Sequence, residues 1–170
     1  VFISERADGN AMASASPGST LRPGTALLIH ARGHNLTPAA AADQSTGVTV
    51  ALARTSREVA EMFTLHEMGH LVHYRALANE GKELRDARFH GMRSTGRTAP
   101  EITDRLTPDL AQSFMDDYEA KRNMTNYGRP VVVETIAEAH ALTVTGNAVP
   151  WVRALTEDIW VKAGLRPEDM

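Results

Sequence analysis

A chain of 170 residues, 42% hydrophobic and 23% charged, is long enough to bury one core and too short for two comfortable domains. Its net charge of -3, with 18 lysines and arginines scattered rather than massed, leaves no basic footprint for a phosphate backbone, so no nucleic-acid partner is expected. Without cysteine there is no disulfide framework and no thiolate ligand, and any metal would rest on His, Asp or Glu.

In chain order, residues 1–24 are small, polar and rich in turn formers, which predicts a flexible or loosely packed N-terminal arm. Residues 25–170 are read as a single domain. A first residue of Val rather than Met suggests a trimmed chain or a domain cut from a longer polypeptide. No apolar run approaches the roughly 20 residues of a membrane span, and no signal-peptide pattern opens the chain, so a soluble protein with no membrane span is expected.

Residues 25–33, TALLIHARG, form a short apolar run closed by Gly33, as a buried strand would, and Thr37-Pro38 opens an Ala-rich segment in the manner of a short helix. Residues 46–54 set Val48, Val50 and Leu52 against Thr49, Ala51 and Ala53, the period of a half-buried strand. Thr55 and Glu58 then make a capping-box pattern, so a helix should begin near Ser56 and run without a proline to Gly81. Residues 82–100 read as a polar surface excursion. Thr107-Pro108-Asp109 starts a further helix to about Arg122, residues 131–146 read as a buried helix stopped by Gly146, and Pro150 opens a last helix ended by Gly164. The expected fold class is α+β, a zincin-like domain. A small twisted sheet from residues 25–54 would pack on the 56–81 helix, further helices would follow, and residues 48–53 would be the edge along which an extended peptide could pair.

The chemistry concentrates in TLHEMGHLVHY, residues 64–74. His66 and His70 are one helical turn apart and can converge on one ion, while Glu67 leaves that face by about 100° and suits the role of general base toward a metal-activated water. With zinc, the reaction class is amide hydrolysis. Gly69, lacking a Cβ, would let another segment approach the helix closely. His73 is the awkward member, because three residues spanning two turns cannot easily surround one ion, and a role in packing or lining the cleft is expected.

A catalytic zinc usually has three protein ligands and an open position. The metzincin pattern HExxHxxGxxH is excluded, since it needs a glycine at His73 and a histidine at Ala76. The later helix carries Glu134 and Glu138, four apart on one face amid apolar neighbours, and such a pair needs a cation. One would bind the metal and the other would accept the free ring N–H of a ligating histidine.

HEMGH, followed some fifty residues later by TNYGRPVVVETIAEA, resembles the zinc peptidase domain of the anthrax lethal factor family and its bacterial toxin and phage-encoded relatives, a gluzincin-like HExxH plus Glu plan. The resemblance covers roughly residues 64–142. It implies Glu134 as third zinc ligand, Glu138 as the carboxylate behind a ligating histidine, and Tyr127 as a phenol that stabilises the oxyanion. Where the family tends to carry an acidic residue after the second His and an aromatic after the second Glu, this chain has Leu71, Val72 and His73, and His140.

The expectation is therefore a zinc metalloprotease, an endopeptidase holding one Zn2+ through His66, His70 and Glu134, with Glu67 and Tyr127 catalytic and a peptide or protein as substrate. The resemblance alone extends it to a toxin, effector or phage-associated module that is secreted or translocated. The alternatives are a non-catalytic zinc-binding interaction domain and an ImmA/IrrE-like regulatory peptidase. Glu67 argues against the first, since a closed structural site needs no base.

Overall fold

The computed structural model describes residues 2–4, 13–16, 26–30, 52–82, 98–120, 122–123, 131–166 and 168, the first three stretches and residues 98–99 by backbone alone. Among the described residues there are five helices: α1 Ser56–Asn79, α2 Thr98–Thr103, α3 Pro108–Ala120, α4 Val132–Val144 and α5 Pro150–Lys162.

The α+β expectation is overturned. Every described residue whose side chain is placed belongs to a helix, a turn or a connection, and none belongs to a strand. Of the strand expected over residues 46–54, residues 46–51 lie outside the described residues. Leu52 stands in a turn, 41% exposed, while Ala53 is 8% exposed, the reverse of the burial that the alternation called for. The reason is local. Thr55 caps α1, and residues 52–54 lead into the helix as a turn and connection rather than a strand. Backbone pairing alone is described for three short N-terminal segments, β1 Phe2–Ser4, β2 Ala13–Ser16 and β3 Ala26–His30, in the order β1-β3-β2, parallel for β1 with β3 and antiparallel for β2 with β3. Of these only β3 falls within residues 25–54, at the run expected to be a strand over 25–33, while its two partners come from the N-terminal arm; the Ala-rich helix after Pro38 lies outside the described residues.

Helix α1 begins and ends as its sequence dictates. The Thr55 hydroxyl accepts the Glu58 N–H at 3.2 Å, and the Glu58 carboxylate reaches back to the Thr55 N–H at 3.3 Å. At the far end Gly81 takes a φ of 69°, which returns the Lys82 N–H to the Leu77 carbonyl at 2.9 Å and the Gly81 N–H to the Ala78 carbonyl at 3.1 Å. The same closure recurs after α4 and α5 at Gly146 and Gly164.

Helix α4 is the centre of the body and packs against both α1 and α5. It buries side chains almost all round, as its apolar sequence requires. Its Ile136 and Leu142 join Phe114, Trp151, Leu155 and Ile159 in one cluster. Each such side chain contributes about 1.5–3 kcal/mol by leaving water. The Trp151 indole donates to Asp117 at 2.8 Å and meets the Phe114 ring edge-on at 5.1 Å, tying α5 to α3. Helix α2 corrects the reading of residues 82–100 as a surface excursion up to Pro100. Pro100 lies in its first turn, where a missing N–H breaks no bond, and Ile102 is fully buried in the cluster. Among the described residues no helix is long and apolar enough to cross a membrane.

The tightest crossing joins α1 to α4. A Cβ built on Gly69 would lie 2.8 Å from the Ala137 Cα, 2.9 Å from the His140 Cβ and 3.0 Å from the Ala137 carbonyl oxygen. Backbone cannot rotate away as a side chain can. Gly69→Ala should therefore lower the unfolding free energy by about 1–3 kcal/mol in urea titration, although Ala in an open helix would add about 1 kcal/mol. A stabilised variant would contradict the close crossing.

Candidate metal centre

The His66 and His70 rings, one turn apart on α1, have centroids 4.9 Å apart and planes at 86°. From α4, one oxygen of Glu134 lies 3.0 Å from His66 Nε2 and 3.4 Å from His70 Nε2. Donor atoms about 2.0–2.1 Å from a tetrahedral ion stand about 3.3 Å from one another, so both separations suit adjacent corners of a zinc-sized tetrahedron. Glu67 stands beside the same two histidines: one of its oxygens and one ring nitrogen of each fall within 4.8 Å of one another, a group that does not take in Glu134. The expected ligands and base are thus together, brought there by two helices.

Burial acts against charge on both sides of the His66–Glu134 pair, and the pair overcomes it. Burial works to raise the Glu134 carboxyl, but the bonds with His66 and His70 and the charges of both hold it at about 2. Burial works to lower His66, and the bond with Glu134 together with the charges of Glu134, Glu67 and Glu138 raises it instead. Three carboxylates around two imidazoles make a field that favours a cation. His66 and Glu134 keep 17% and 14% of their side chains exposed, so neither is sealed from solvent.

Glu138, one turn beyond Glu134, is buried, and its charge is felt at His66. It does not take the remaining ring nitrogen of His70, because His70 Nδ1 is buried without a hydrogen-bond partner among the described residues. Tyr127 lies outside the described residues. His73 is buried at 3% exposure outside the His66–Glu67–His70 group, with its ring near-parallel to Tyr74 at 6.4 Å, so it packs.

No family model, curated protein or solved structure matches this chain. The site therefore has to be argued from its own geometry.

Sequence reasoning left His140 without a role. Its Nδ1 accepts the Trp160 indole N–H at 3.0 Å, a bond between α4 and α5 that nothing local could reveal. The one available signal was a histidine inside an apolar run, where burial demands a partner.

The buried histidines set an acid limit. Burial, then the charges of Arg105 and His70, push His73 from 6.5 down to about 3, so its contribution to stability is complete above pH 6.5 and is lost as pH falls toward 3. His66 has the opposite sign, contributing below 6.5 and losing that contribution as pH rises through its raised value. Glu134 contributes above 4.5 and loses its share as pH falls toward 2. Between pH 6 and 4, metal-free protein should lose stability less steeply as His73→Gln than as wild type, by up to about 1.4 kcal/mol per pH unit. Equal slopes in denaturant titrations would contradict the buried neutral ring.

Proposed function

We propose that the chain is a zinc-dependent endopeptidase of the HExxH plus Glu type, with one zinc held by His66, His70 and Glu134. The observation that carries this reading is the Glu134 oxygen at 3.0 and 3.4 Å from two ring nitrogens, reached across 68 positions of chain. An ordinary ion pair between helices needs one of those nitrogens, whereas a shared ion needs both. The donor set, two imidazoles and a carboxylate without thiolate, suits zinc.

Bound there, zinc would supply the Lewis acidity that acidifies a water and polarises a substrate carbonyl. Glu67 follows His66 on the helix and places its carboxylate beside the ligand atoms, where it can take a proton from the attacking water and pass it to the leaving amine. Glu134 is anionic at neutral pH and so already in ligating form, while His66, with its raised pKa, gives up its proton on loading. The base beside the ligands and the partial exposure of His66 and Glu134 favour a catalytic over a closed structural site. Tyr127 as oxyanion donor, and the toxin, effector or phage-associated setting, rest on the resemblance of the motifs alone.

Purified protein should hold about one zinc by metal analysis. Glu67→Gln should keep the metal while losing about 10²–10⁴-fold in cleavage of a peptide library. Undiminished cleavage would remove the mechanism. Glu134→Ala should lose more metal than Glu138→Ala, and the reverse order would exchange their roles.

A further inference from the structure

His140 lies on α4 beyond Glu134 and is 2% exposed. Because its Nδ1 accepts the Trp160 N–H, that nitrogen carries no proton, and the neutral ring is fixed as the Nε2–H tautomer. Burial first, then the charge of His66, keep its pKa at about 4, so the ring is neutral at pH 7. The resulting Nε2–H is buried with no hydrogen-bond partner among the described residues. Leaving such a donor unpaired costs about 1–3 kcal/mol. A phenyl ring would fill nearly the same volume but would leave the Trp160 N–H without its acceptor, so the histidine is required for the bond that ties α4 to α5.

The His140 Cβ lies 2.9 Å from where a Cβ of Gly69 would stand, so the residue rests on the α1 backbone immediately before His70. On its other side the Trp160 ring meets it edge-on, with centroids 5.8 Å apart and planes at 81°. Trp160, His140 and Gly69 therefore form a continuous contact from α5 through α4 to the helix that carries both histidines.

We propose that His140, held by Trp160 as a single tautomer, is a positioning residue of the metal centre: it sets the seating of α4 on α1 at which one Glu134 oxygen meets both His66 and His70. The inference rests on the metal reading above and adds to it a residue that touches no ligand atom. The indole N–H ties His140, and with it α4, to α5, the His140 Cβ and the Ala137 backbone bear on Gly69, and that seating places Glu134, six residues earlier on the same helix. Partners bonded directly to a metal ligand typically govern metal affinity by 10–100-fold, and a residue that acts through the helix crossing is expected at the low end of that range.

The test compares zinc affinity, by competition with a chromophoric chelator, in the full chain and two variants. Trp160→Phe keeps an aromatic ring but removes the donor, and should weaken zinc binding about tenfold or more while unfolding stays cooperative. His140→Asn in the chain with Trp160 intact, where the amide oxygen can accept from the indole in place of Nδ1, should keep most of the wild-type affinity. Long-range ¹H–¹⁵N spectra should show the wild-type His140 protonated at Nε2. A wild-type chain that binds no zinc would overturn the metal reading. Wild-type binding with equal affinity in Trp160→Phe, or a His140 protonated at Nδ1, would overturn this inference alone.

Discussion

The contact of Gly69 with Ala137 and His140 governs everything near the site. With the Ala137 backbone and the His140 Cβ 2.8–3.0 Å from where a Cβ on Gly69 would stand, the α1 and α4 backbones meet at this point with no room for a side chain between them. A helical glycine costs about 1 kcal/mol relative to alanine, and here it returns a fixed crossing point one residue before His70. Glu134 precedes Ala137 by three residues and so faces the same way. Once Ala137 is seated on Gly69, the Glu134 carboxylate has to arrive at the turn that carries His66 and His70.

That seating sets up an electrostatic problem which the site itself answers. Glu67 and Glu138 are buried and Glu134 largely so, a placement that is unfavourable for charge unless something positive is close. The two imidazoles share the Glu134 oxygen, and the coupling is strong enough to hold that carboxyl far below its usual range while raising His66. A proton on the pair and a divalent ion between its members answer the same need. The histidines differ in their surroundings: His66 and His70 face carboxylates, whereas His73 and His140 sit where burial holds them neutral.

Features encoded within one turn of chain were legible in the sequence. The capping box at Thr55 and Glu58, the prolines that open α3 and α5, and the glycines after α1, α4 and α5 mark boundaries that hold in the structure. The nearness of His66, His70 and Glu134 was legible for a related reason, since the 66/70 spacing on α1 and the carboxylates of α4 are both statements about helical faces. The reading failed where residue type carried little information about burial. Small residues alternate through 46–54, and the turn into α1 exposes Leu52 instead of burying it. Ile102, a lone apolar residue beyond a polar stretch, gave no periodicity to reveal α2. The Asp117–Trp151 and His140–Trp160 bonds join distant segments, and no local pattern announces such pairs.

The central claim is that one crossing delivers three donors to one ion. An anomalous difference map at the zinc absorption edge, from zinc-loaded crystals, tests it directly. The account predicts a single peak about 2.0–2.2 Å from His66 Nε2, His70 Nε2 and an oxygen of Glu134. A map without a peak there, or a peak coordinated by Glu138 or His73 in place of Glu134, would contradict it.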